Sequence, residues 1–148
     1  MPQREEFITK AILKYLNLKG WTILAFDYPQ SGTGISLQPI RRVDHTKNLG
    51  MITPDVIAIK NKLLLILEDK PGFYESDVEK LKTIKAGEYS ESIRSIFGIS
   101  DFNIMVGIGI GDSPQQRKRA LCRTDTLDVI LWVDKNGDTH EAYTNFKL

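Results

Sequence analysis

Cysteine is all but missing from this chain: Cys122 is the only one in 148 residues. That excludes an internal disulfide framework and suits a reducing compartment. Long apolar runs are missing as well. No stretch approaches the ~18–20 uncharged residues needed to cross a membrane, and the N-terminus opens on Arg4-Glu5-Glu6 rather than on a basic and then apolar leader. The expectation is a soluble, cytoplasmic protein with no membrane partner. Internal repeats and low-complexity segments are absent. Neither charge sign dominates, since 20 Lys+Arg against 19 Asp+Glu leave a net charge of +1. Such a balance neither proclaims nucleic-acid binding nor forbids it, because local patches matter more than totals. What is present is ordinary globular composition, 41% hydrophobic and 26% charged, at a length that suits a single domain over 1–148 with one core.

The informative stretch runs from Thr53 to Lys70. Asp55 to Lys60 and Leu63 to Lys70 read as two strands joined by a two-residue turn at Asn61-Lys62. Lys60 then faces Leu63, and the same register carried outward puts Asp55 directly opposite Glu68. Opposed side chains have Cβ atoms ~4.5–5.5 Å apart, and like charges so placed destabilise a sheet unless something sits between them. A divalent cation fits that description. Side chains alternate along a strand, so Glu68 and Lys70 project to one face and Asp69 to the other. Hard oxygen ligands of this kind suit Mg²⁺, which takes one or two carboxylates together with water and substrate phosphate. Lys70 beside them is placed to position a water or offset charge in a transition state. That is equipment for phosphodiester hydrolysis.

Pro54-Asp55, followed after twelve residues by Glu68-Asp69-Lys70, resembles the motif of the PD-(D/E)XK nuclease superfamily, the restriction-endonuclease-like fold. The resemblance implies Asp55 and Glu68 as metal ligands, the backbone carbonyl of Asp69 as a third, and Lys70 beside the attacking water. It implies Mg²⁺ as cofactor, with Mn²⁺ able to substitute, and products ending in a 5′-phosphate and a 3′-hydroxyl. It also implies a Glu on the first helix joining the site. By helical phase Glu5 is the better choice and Glu6 the second, while acidic residues also favour a helix N-terminus on electrostatic grounds alone. The alternative for the whole hairpin is a pair of charged ends that are merely solvated.

The remaining elements follow in order. Residues 4–18 read as a helix with Phe7, Ile8, Ala11, Ile12, Tyr15 and Leu16 as its apolar stripe and Gly20 as its stop. Trp21 to Phe26 reads as a strand. From Asp27 to about Ile52 the chain has the composition of a long loop, and Arg41, Arg42 and Lys47 in it are expected beside bound nucleic acid, with Gln38 and Asn48 also available to read base edges. After Lys70, Ser76 or Asp77 is expected to cap a helix buried through Val78, Leu81 and Ile84, with Lys80, Lys82 and Lys85 pointing elsewhere. A second helical piece runs from Glu88 to Phe97, with Ile93, Ile96 and Phe97 as its apolar side. Phe102 to Ile110 is an interior strand whose glycines, Gly107 and Gly109, let another element approach closely. Ser113-Pro114 opens a short helix carrying Arg117, Lys118 and Arg119, the densest basic cluster and an expected DNA contact. Leu127 to Val133 and Thr139 to Tyr143 close the chain as strands around an Asn136-Gly137 turn.

The expected fold class is therefore α/β, restriction-endonuclease-like, a three-layer α/β/α arrangement with a mixed sheet in the order αβββα(α)βαβ. The expected function is a Mg²⁺-dependent DNA endonuclease, of restriction type, working as a homodimer or with a partner nuclease subunit because cutting two strands needs two centres. A Holliday-junction resolvase or a repair and recombination nuclease is the alternative within the class. A non-catalytic nucleic-acid-binding subunit is the alternative outside it.

Overall fold

The computed structural model describes residues 4–40 and 50–148. Arg41, Arg42, Lys47 and Asn48, with the nucleic-acid contacts expected of them, lie outside the described residues. The elements are α1 (Glu5–Leu18), β1 (Thr22–Tyr28), β2 (Ser31–Gly32), β3 (Val56–Lys60), β4 (Leu63–Asp69), α2 (Glu75–Lys85), α3 (Ser90–Phe97), β5 (Asn103–Ile110), α4 (Pro114–Ala120), β6 (Val129–Val133) and β7 (Thr139–Thr144). The seven strands form one mixed sheet in the order β2-β1-β3-β4-β5-β6-β7. β4, β5 and β6 run parallel, and every other pairing is antiparallel. The class is α/β with helices on both faces of the sheet.

Period-two alternation builds the two faces. Leu64 and Ile66 of β4 join Ile57, Val106, Ile108 and Ile130 beneath α2 and α3, whose Leu81, Ile84 and Ile93 complete that layer. Leu65 and Leu67 point the other way, with Val56, Ala58, Val129 and Leu131, beneath Ile8, Ile12 and Leu16 of α1. All four β4 residues are fully buried, each contributing roughly 1.5–3 kcal/mol of transfer free energy. The strand can therefore carry two carboxylates at its end without losing its place in the sheet. The glycines of β5 behave as expected. A Cβ on Gly109 would lie 2.1 Å from Ile12 Cδ1, and one on Gly107 would lie 2.4 Å from the Val129 carbonyl oxygen. Only a bare backbone lets α1 and β6 come so near.

Several local expectations are corrected. Phe7 lies 38% exposed at the rim of α1 while Thr9 is buried in its place, because the Phe7 ring turns sideways toward Gly137 in the β6–β7 turn. Ile96 of α3 is likewise exposed. α2 begins at Glu75 with Tyr74 at the N-cap position and no side-chain cap; Asp77 is drawn inward by another partner. β1 extends to Tyr28 and turns through Gln30, at φ 67°, into β2. No helix among the described residues is long and apolar enough to cross a membrane.

Candidate functional site

The β3–β4 hairpin has the register that the two-residue turn dictates: Lys60 pairs with Leu63, and the ladder continues to Val56 opposite Leu67. Asn61 takes φ 56°, the left-handed conformation such a turn needs. One step further out, Asp55 and Glu68 stand against each other, both buried, at 6% and 2% exposure. The backbone holds Asp55 from two sides: Asp27 N–H donates to its carbonyl at 2.9 Å, and Asp69 N–H donates to its Oδ2 at 2.7 Å. Burial, then the charge of Glu68 and a side-chain hydrogen bond with it, push the Asp55 carboxyl up to about 9. The Asp55 carboxyl thus keeps its proton well above the usual carboxylate range.

Two ammonium groups meet this pair. Lys70, on the same face, donates to Asp77 Oδ1 at 2.8 Å. Burial works against its charge, but Asp77, Glu68 and Asp55 outweigh that and hold the ammonium above its usual value. Lys80, one turn along α2 from Asp77, forms a close ion pair with the Glu68 carboxylate, without hydrogen-bond alignment. The expectation that Lys80 points elsewhere is thus overturned. Lys85 is also committed, 2.7 Å from Asp128 Oδ1. Both corrections have one cause. α2 lies on the sheet with Asp77, Val78, Leu81 and Ile84 buried, so Lys80 and Lys85 beside that face reach the acids Glu68 and Asp128.

On the other face, Asp69 is completely buried, and burial pushes its carboxyl up to about 8 against the opposing influence of the Thr9 hydroxyl. Its side chain points away from Glu68, as the alternation requires. Glu5, at the start of α1, is half-buried and raised by burial, and it senses the charges of Lys70, Glu68, Asp27 and Asp77. Glu6 instead pairs outward with Lys10 at 2.8 Å. Glu5 is therefore the α1 acid that borders the cluster.

Because β4, β5 and β6 are parallel, their C-terminal ends share one edge of the sheet, and α4 starts at that edge. Its basic residues are unequal. The Arg117 guanidinium sits 3.9 Å over the Trp132 ring and 3.4 Å from Asp112, and His140 stacks on the same ring system. Arg123, just beyond α4, is surrounded by Glu75, Glu79 and Asp125. Lys118 and Arg119 are exposed. Sequence reasoning missed Asp77 and Lys80 as members of the site. The signal available was their three-residue spacing on a helix directly after the motif, which places them on one face.

Among the described residues no group of three or more His, Cys, Asp or Glu side chains forms a ready metal cluster. What converges is a carboxyl pair. Its donors are hard oxygens, directly opposed. That fits an ion which takes one or two protein carboxylates and completes its shell with water and phosphate.

No protein-family model matches the chain, and no curated protein matches it. Among solved structures, the crystal structure of a FdxN element excision controlling factor protein from Anabaena variabilis is similar over 93% of this chain and 99% of that one, at 11% identity and a TM-score of 0.41. That likeness is too remote to transfer the role of any residue.

Proposed function

We propose that this chain is a Mg²⁺-dependent DNA endonuclease whose centre is Asp55, Glu68 and Lys70. The observation that carries the reading is the opposition of two buried carboxyl groups at a strand end with a lysine ammonium on the same face. Asp55 and Glu68 would hold the ion, and the Asp69 carbonyl is the third ligand that the motif implies. When bound, Mg²⁺ supplies Lewis-acid polarisation of the scissile phosphate and a water of lowered pKa. Asp55 would have to be ionised to hold the ion, so loading should be favoured as pH rises. Lys70 stays protonated through neutrality and is restrained by Asp77, which lets it orient the attacking water and offset charge on the phosphate. Glu5 borders the centre and is the acid available to hold a further water.

The test is cleavage of supercoiled plasmid and of a branched DNA junction, with Mg²⁺ or with EDTA, using Lys70→Ala as control. Metal- and Lys70-dependent fragments of discrete length support the restriction type, and selective cutting of the junction supports a resolvase. Equal behaviour of wild type and Lys70→Ala on every substrate sinks the catalytic assignment. A second reading has its own observation: Lys80 with Glu68 and Lys70 with Asp77 neutralise the cluster internally, as a structural core of a non-catalytic nucleic-acid-binding subunit would. That reading expects DNA binding with no metal-dependent cleavage.

A further inference from the structure

The chain leaves Lys70 through Pro71-Gly72-Phe73-Tyr74 and passes directly against α4. Gly111 N–H donates to the Pro71 carbonyl at 3.2 Å, and Phe73 N–H donates to Gln116 Oε1 at 2.7 Å. The Phe73 ring is buried in the core beneath. A Cβ on Gly72 would lie 3.2 Å from Gln116 Oε1, so the segment lies close against the helix. Between them is a cleft of about 390 Å³ lined by Pro71, Gly72, Tyr74, Ser113, Gln116 and Arg119, at the small end of the roughly 300–1,000 Å³ typical of ligand clefts.

Its chemistry is specific. Arg119 lies over the Phe73 ring, 5.3 Å from its centroid, and reaches Gln116 Oε1 at 3.4 Å. Unlike Arg117 and Arg123, it faces no carboxylate among the described residues, so its charge is available to an anion. Tyr74, which also lines the cleft, is 52% exposed, an aromatic side chain open to solvent only a few residues from the lysine of the proposed centre. A cation and an open aromatic ring flanking a cleft at the exit of a phosphodiester-cleaving centre match the phosphate and the base of a nucleotide.

We propose that this cleft is a subsite for one unpaired nucleotide flanking the scissile phosphate, with its phosphate on Arg119 and its base stacked on Tyr74. The inference rests on the nuclease reading and adds the substrate class to it. A base inside a duplex already has both faces stacked, so the Tyr74 ring is available only to a nucleotide that is single-stranded or displaced. Gln116 is the positioning residue, fixing the segment after Lys70 and the Arg119 head from one carboxamide oxygen.

The experiment is fluorescence anisotropy in EDTA, which prevents cleavage, with two labelled probes: a blunt duplex and the same duplex carrying a short single-stranded flank. Wild type is expected to bind the flanked probe more tightly. Tyr74→Ala should remove that preference, weakening the flanked probe about 5- to 100-fold, and Tyr74→Phe should restore it. Arg119→Gln should weaken both probes and reduce the slope of log affinity against log salt by about one. Circular dichroism shows which variants are folded, and Tyr74→Leu, which keeps bulk but lacks the stacking ring, serves if Tyr74→Ala is not. Equal binding of the two probes by wild type, or an unchanged preference in Tyr74→Ala, overturns the subsite. Lys70-dependent cleavage without Tyr74-dependent binding removes the subsite alone. Tyr74-dependent binding without Lys70-dependent cleavage removes the nuclease reading, and absence of DNA binding removes both.

Discussion

Replacing Lys80 by Met preserves the length and apolar stem of the side chain and deletes only its charge. Glu68 is then left 2% exposed with no cationic partner of its own, since Lys70 is held by Asp77. Removing one member of a fully buried ion pair costs about 3–5 kcal/mol. The Lys80 side chain is 30% exposed, and solvent screening reduces the loss to about 2–3 kcal/mol. For a domain of this length each kcal/mol lowers Tm by about 2–4 °C, so the variant should melt roughly 5–10 °C below wild type. The exposed Lys82 supplies the control, as Lys82→Met should stay within about 0.5 kcal/mol. A second arm separates charge from packing. If Glu68 is a metal ligand, Mg²⁺ in wild type must compete with the Lys80 ammonium, whereas in Lys80→Met it meets no competitor. Ligand linkage adds about 2.7 kcal/mol at a hundredfold excess over Kd, so a titration of Tm against Mg²⁺ should raise the variant further than wild type. A Tm equal to that of Lys82→Met refutes the ion-pair argument, and identical Mg²⁺ shifts in variant and wild type refute the competition.

Other predictions test different parts of the structure. Asp55 and Asp69 are protonated in the folded chain up to about 9 and about 8, but in the unfolded chain only up to about 4. The folded state therefore binds more protons between these limits. Stability is full below about pH 4 with respect to these groups and is lost as pH rises toward 8–9, by at most about 1.4 kcal/mol per pH unit for each. Urea melts at pH 5, 7 and 9 should show the decline, and Asp55→Asn should flatten it. Gly107→Ala sets a Cβ 2.3 Å from Val129 Cγ1 and 2.4 Å from the Val129 carbonyl oxygen. A backbone neighbour cannot give way, so the loss should be about 3 kcal/mol or more, read as a lowered denaturation midpoint. Asp128 is a buried acid of another kind. It accepts from Lys85, Asn145 and Val106 N–H at 2.7, 2.8 and 3.0 Å, so Asp128→Ala should cost about 3 kcal/mol while leaving Mg²⁺ binding, measured calorimetrically at a temperature where the variant is folded, within about twofold of wild type.

The hairpin was legible because its information is local. A two-residue turn sets the register, alternation sets the faces, and both could be carried outward to the Asp55–Glu68 opposition without knowledge of any other element. The α/β class followed from the alternation of strand and helix patterns, and Gly107 and Gly109 announced close approach because no other residue fits there. What escaped was long-range. The rotation of α2 about its axis is decided by the sheet it lands on, so Asp77 looked like a cap and Lys80 like a solvated lysine. The pairing of Arg123 was hidden for the same reason, because the acids that surround it include Glu75 and Glu79 on another helix. Phe7 and Thr9 exchanged roles because the β6–β7 turn, more than a hundred residues away, offers the ring a place outside the core.

The hairpin has a kinetic consequence as well. Its pairing is among the most local in the sheet, whereas β4, β5 and β6 become neighbours only after helical crossovers have formed, and such non-local pairings form late. If the hairpin closes before α2 docks Lys80 on Glu68, a proton is the neutralising charge in hand during that interval. Refolding should accordingly slow with rising pH across the range where Asp55 ionises, with the unfolding limb much less affected. Stopped-flow chevrons at two pH values would show the effect as a shift of the folding arm alone.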